Sequence, residues 1–224
     1  MARLGAGLAA FSGALAVPSN ASAQNTDGRR AGEAWQPARH PQDDWLEQIP
    51  GKHRFFFDAT TPAGTGDALS FTSNFLYASA FGYQLAEEEN AVVICLRHWA
   101  TPFAFSDAIW AKYGGVLSEQ TKFLDPKTSA APIVNVFLTK GYGFLLNNRE
   151  NTFTDAVRRR MHFAVCDMAT RRYAGLIAAK LALKTDDVYG ELQGSAHANS
   201  HFVAAGIVAV NRAQERGYAI QYLG

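Results

Sequence analysis

The residues most able to do chemistry lie between His162 and Gly175, in the stretch HFAVCDMATRRYAG. Residues that read as a buried strand run into Cys166, one of only 2 cysteines in the chain, and Arg171 and Arg172 follow in what reads as a helix. A thiol at that junction meets the positive end of the helix dipole, and two guanidinium groups in the first turns would add full charges that stabilise an anionic sulfur. This is the setting of a nucleophile or a sulfur carrier, with Cys166 as the reacting group. A free cysteine at a strand end also serves as a small buried hydrophobe, and the sequence leaves both readings open.

A second group follows Cys95, in RHWATPFAF from Arg97 to Phe105. His98 is placed to assist proton transfer. Cys95, Trp99, Phe103 and Phe105, with Asp107 and Trp110 behind them, are candidates to line a pocket for an apolar or planar ligand. The plainer reading is a hydrophobic loop packed on a neighbouring subunit. His197 and His201, in HANSH, have the i, i+4 spacing of two imidazoles on one helical face, with His98 as a conceivable third metal ligand. Asn199 or Ser200 as a helix cap would break that register, so no metal is assigned and His201 is kept as a ligand-binding candidate. Gly64-Thr65-Gly66-Asp67 lacks a phosphate-binding lysine and reads as a tight turn with Asp67 as a cap.

The elements that must position these residues alternate. Strands are expected at 54–58, 91–96, 133–138, 162–166 and 218–222. Between them, Ala68, Phe71, Phe75 and Ala78 recur at helical spacing up to Gly82, and a second helix from Phe103 to Tyr113 is stopped by Gly114-Gly115. Thr154 starts a short helix reaching Arg160, another helix spans Met168 to Leu183, and a polar stretch with Asp186, Asp187 and Glu191 forms one more. Val203, Ile207 and Val210 mark the last helix, which Gly217 ends. Strands separated by helices give a parallel sheet covered on both faces, a three-layer α/β/α fold with ligands beyond the carboxyl ends of the strands. Cys95 and Cys166 then share that edge. As second and fourth strands in a flavodoxin-like order their strands would not be neighbours, which places the two thiols beyond the roughly 7 Å limit for a disulfide.

The chain has 224 residues, 48% hydrophobic and 12% aromatic, enough for one sizeable core. Residues 1–23 read as a signal peptide: Arg3, an apolar run from Leu4 to Val17, then Ala21-Ser22-Ala23. The run is too short to span a bilayer, so the mature form is expected without a membrane span, in the periplasm or secreted. Residues 24–50 read as a polar arm pinned by Trp35 and Trp45, and 51–224 as the domain. With Lys+Arg 21 against Asp+Glu 20, no concentrated basic surface points to nucleic acid.

Three blocks, CLRHWATPFAFSDAIWAKYG, HFAVCDMATRRYAG and FVAAGIVAVNRAQERGYAIQY, resemble the DsrE/DsrF-like family, in particular its exported branch, over about Asp44 to Tyr222. The resemblance implies a five-stranded parallel sheet in the order 4-3-2-1-5 and assembly into homo-oligomers. It also implies transfer of sulfane sulfur through a strand-end cysteine, whose position Cys166 matches. No Cys-x-x-Cys is present, and the arm and export signal depart from the pattern, so the fold carries over better than the activity. The expected partner is a small-molecule ligand or sulfur donor, no cofactor is specified, and a non-catalytic oligomeric binding module is the alternative.

Overall fold

Five parallel strands, in the spatial order Ser200–Val203, His162–Cys166, Asn90–Leu96, His53–Ala59 and Ala219–Leu223, form the centre of the protein. The structure is a computed structural model that describes residues 36–224, in which one compact unit runs from Ala38 to Gly224. The signal-peptide reading of residues 1–23 and the anchoring role of Trp35 lie outside the described residues. In chain order the elements are α1 (Trp45–Gln48), β1 (His53–Ala59), α2 (Pro62–Tyr83), β2 (Asn90–Leu96), a 3-10 segment (His98–Ala104) and α3 (Asp107–Thr121). There follow α4 (Phe153–Arg158), β3 (His162–Cys166), α5 (Asp167–Leu181), α6 (Thr185–Gly194), β4 (Ser200–Val203), α7 (Gly206–Gln214) and β5 (Ala219–Leu223). Among the described residues no helix is long and apolar enough to cross a membrane.

The continuous apolar run of β2 is buried on both faces, as a central parallel strand must be. Val92, Ile94 and Leu96 face a thick layer with Leu69 and Leu76 of α2, Trp110 of α3, Tyr173 and Ile177 of α5 and Leu192 of α6. Ala91, Val93 and Cys95 face a thinner layer built by Ala209 and Ala213 of α7 and by Leu46 of α1. Right-handed crossovers explain the division. The chain steps in one direction from β1 to β4, with the intervening helices on one face, then reverses past the sheet to β5, which sends α7 to the other. The segment around α1 closes that face: Tyr218 Oη donates to the Leu46 carbonyl at 2.7 Å, and Trp45 stacks on His201 at 3.9 Å.

Several expectations are corrected. Ile133 to Leu138 is not a strand but a turn-rich segment, because Asn135 sits inside the apolar run and is wholly buried as a loop anchor. Its Nδ2 donates to the carbonyls of Phe103 and Phe105, each at 2.8 Å, and its backbone N–H donates to Asp107 at 2.8 Å. The fifth strand is instead β4, which takes in Val203, a residue whose spacing with Ile207 and Val210 reads as helix. Cys95 and Cys166 therefore stand on neighbouring strands, in the register Cys95↔Ala164 and Leu96↔Val165. Helix α3 continues through Gly114-Gly115, because Gly114 is the point where the Pro132 carbonyl closes on the helix. Gly64 to Asp67 lies inside α2, which Thr61 caps through Gly64 N–H at 2.9 Å, so Asp67 is not its cap. Thr152, not Thr154, caps α4, in a reciprocal arrangement with Asp155.

Candidate functional site

The helix after β3 runs onto one face of the sheet and the helix after β4 onto the other, so their connections part and leave a crevice at the carboxyl ends of the strands. A cavity of about 540 Å³ occupies it. Three segments build its wall: Arg97, His98 and Trp99 after β2; Cys166, Met168, Ala169, Arg172 and Tyr173 at the start of α5; and Ala205, Gly206 and Ile207 at the start of α7.

Cys166 is the last residue of β3 and the N-cap of α5, and it is 7% exposed at the cavity wall. Its side chain makes no capping hydrogen bond, and neither does Ala205 at the head of α7. Two helix N-termini without side-chain caps thus converge on the cavity, a positive field suited to an anionic group. Helical periodicity then sorts the residues of α5. Met168, Ala169 and Arg172 turn toward the cavity, whereas Asp167 and Arg171 turn toward α6. Arg171 donates to Asp167 at 2.8 Å and to Tyr189 Oη at 2.9 Å, so it stands apart from Cys166.

Arg97 forms the cavity wall through a bidentate ion pair with Asp58, at 2.7 and 2.9 Å. That pairing raises the guanidinium above its ordinary range, although burial opposes it. The stem of Arg97 lies against Gly206, where an added Cβ would sit 2.5 Å from Arg97 Cβ, so α7 can start here only with glycine. His98 holds a left-handed backbone, φ 57°, its ring is edge-on to Trp99 at 4.5 Å, and its carbonyl accepts from Tyr173 Oη at 3.3 Å. A non-glycine residue in that conformation carries backbone strain, and it projects an exposed imidazole at the rim.

Cys95 points into the thin layer and is fully buried. Burial pushes its thiol well up, with the Asp58 carboxylate adding to the effect. Both cysteines are free. The register makes them diagonal rather than opposite, and strand spacing with two residues of rise puts their Cα atoms about 8 Å apart, still too far for a bridge.

The structure thus brings together Cys166, His98, Trp99 and Arg172 of the residues singled out by the sequence, and places the others elsewhere. Phe103, Phe105 and Trp110 are core residues, with Trp110 Nε1 donating to the Pro102 carbonyl at 3.1 Å. Asp107 anchors Asn135. His197 and His201 do not share a helical face: His197 Nε2 donates to the Phe103 carbonyl at 2.9 Å, while His201 lies on β4 with its Nε2 3.0 Å from His162 Nδ1. Burial, reinforced by His162, lowers His201 to about 4. Among the described residues no group of three His, Cys, Asp or Glu could hold a metal ion.

Sequence reasoning missed Arg97, Met168, Tyr173, Gly206 and Ile207 as wall residues. The first three were within reach, since Arg97 adjoins His98, Met168 lies one helical turn before Arg172, and Tyr173 directly follows it. Gly206 and Ile207 were not, because their placement follows from β4. No protein-family model, curated protein or solved structure matches this chain.

Proposed function

We propose that the protein handles sulfane sulfur through Cys166, as an exported protein of DsrE/DsrF-like type. The observation that carries the reading is the opening of Cys166, at the junction of β3 and α5, onto a cavity walled by Arg97, His98 and Arg172. In the proposed step the Cys166 thiolate attacks the outer sulfur of a persulfide R–S–SH. A new S–S bond forms between Cys166 Sγ and that outer sulfur, the donor's own S–S bond breaks, and R–S⁻ departs, leaving a Cys166 persulfide (Sγ–SH) with no oxidant required. The two helix N-termini offset the negative charge on the attacking sulfur, and His98 at the rim is the group available to protonate the departing thiolate.

A second reading, a non-catalytic binding module, is favoured by the exposed apolar side chains around the same cavity. Intact-mass analysis after incubation with a persulfide separates the two. One added sulfur atom on wild type and on Cys95→Ala, and none on Cys166→Ala, supports transfer. Sulfur retained by Cys166→Ala, or never gained, removes it.

A further inference from the structure

Most of the cavity is not suited to a small inorganic sulfur anion. Its volume, about 540 Å³, falls in the range that encloses a whole organic molecule. Three of the exposed large hydrophobics in the protein stand around it: Trp99, Met168 and Ile207, exposed by 42, 67 and 60%. Apolar side chains left in water around one concavity mark a surface that an apolar body covers.

The charges of the wall limit what else that body carries. Arg97 is neutralised by Asp58. Arg172 forms no ion pair with a carboxylate among the described residues, and its guanidinium lies 5.9 Å from the Tyr173 ring centroid. One guanidinium is therefore open to one anionic group on the ligand. Arg172 stands six positions beyond Cys166, a rise of roughly 9 Å, shortened somewhat because helical side chains lean toward the N-terminus. The two ends are far enough apart along α5 for an organic body to lie between a group held by Arg172 and sulfur at Cys166.

We infer that the donor is an organic persulfide with one carboxylate and an aromatic or branched apolar body between carboxylate and sulfur. Arg172 holds the carboxylate, Trp99, Met168 and Ile207 cover the body, and the outer sulfur is delivered to Cys166. The transfer step rests on the sulfur-handling reading above; the class of molecule rests on the cavity itself.

Binding and transfer are tested apart. In Cys166→Ser, titration calorimetry with 3-phenylpropionate should show binding that is weakened about tenfold or more by a further Arg172→Gln or Trp99→Ala change. The uncharged 3-phenylpropionamide should be weakened likewise. Both positions are exposed, and matched circular dichroism and melting temperature confirm that each variant is folded. In wild type, the persulfide of 4-(mercaptomethyl)benzoate, whose ring lies between carboxylate and sulfur, should load Cys166 at least about tenfold faster than thiosulfate, and Arg172→Gln should erase that advantage. Equal binding of the carboxylate and its amide, or equal loading from both donors, overturns the assigned class. Binding with the expected Arg172 dependence but no loading upholds the ligand class and overturns sulfur transfer.

Discussion

Adjacent glycines in α3 offer a sharp check on how the layers pack. Replacing a glycine inside a helix by alanine removes backbone freedom from the unfolded chain and gains roughly 0.5–1 kcal/mol where space allows. At Gly115 a new Cβ meets nothing within 4 Å, so Gly115→Ala should stabilise by about that amount. At Gly114 the Cβ would overlap the Pro132 carbonyl oxygen, which is backbone. The loop bearing it cannot retreat, because Asn135, a few residues on, is held at 2.8 Å by Asp107 and by the carbonyls of Phe103 and Phe105. Overpacking of this kind costs about 1–3 kcal/mol, and a backbone neighbour puts it near the upper end. Set against the same intrinsic gain, Gly114→Ala should lose about 2 kcal/mol net, leaving the variants about 3 kcal/mol apart. Urea unfolding followed by tryptophan fluorescence gives both values, and thermal scans should show melting temperature rising by about 2 °C for one and falling by roughly 4–8 °C for the other. Equal shifts in the two variants, or a Gly114→Ala protein as stable as wild type, would refute the close approach of this loop to α3.

Burial lowers His197 to about 4, although the Phe103 carbonyl and Asp107 pull the other way. An unfolded histidine takes up its proton near 6.5, so the contribution to stability is fully present above that pH and is lost as pH falls toward 4, by about 3 kcal/mol in total. His201, lowered to about 4 as well, titrates in the same window, so His197→Gln should cut the slope there roughly by half without abolishing it, and a wild-type slope in the variant counts against the assignment. Arg97→Met leaves Asp58, 3% exposed, without its partner, and should cost about 3 kcal/mol in urea unfolding, partly restored by adding Asp58→Asn. A loss under about 1 kcal/mol would mean the pair is solvated. Iodoacetamide on native protein should modify Cys166 alone, with Cys95 following only after unfolding, since Cys95 is fully buried and Cys166 lines the cavity. Peptide mapping that finds Cys95 modified at a comparable native rate would mean the thin layer opens readily.

The alternation of strand and helix, the doubly covered β2 and the strand-end position of Cys166 were all readable from hydrophobic pattern, because that pattern records which faces are buried. His98, Trp99 and Arg172 were readable too, as residues next to strand ends in a parallel fold. Pattern could not separate a buried loop from a buried strand at 133–138, since both are short apolar runs and only the partners of Asn135 decide. It could not recognise β4, an edge strand of 4 residues whose side chains are only partly covered. The absence of a strand at 133–138 makes the cysteine-bearing strands neighbours, and β4 sends α7 to the opposite face and opens the crevice. The sequence by itself determined the layers and the thiol at their edge, because burial is written residue by residue. Which residues share the cavity with that thiol was decided only in the tertiary structure, because strand order is a property of pairing between segments distant in the chain.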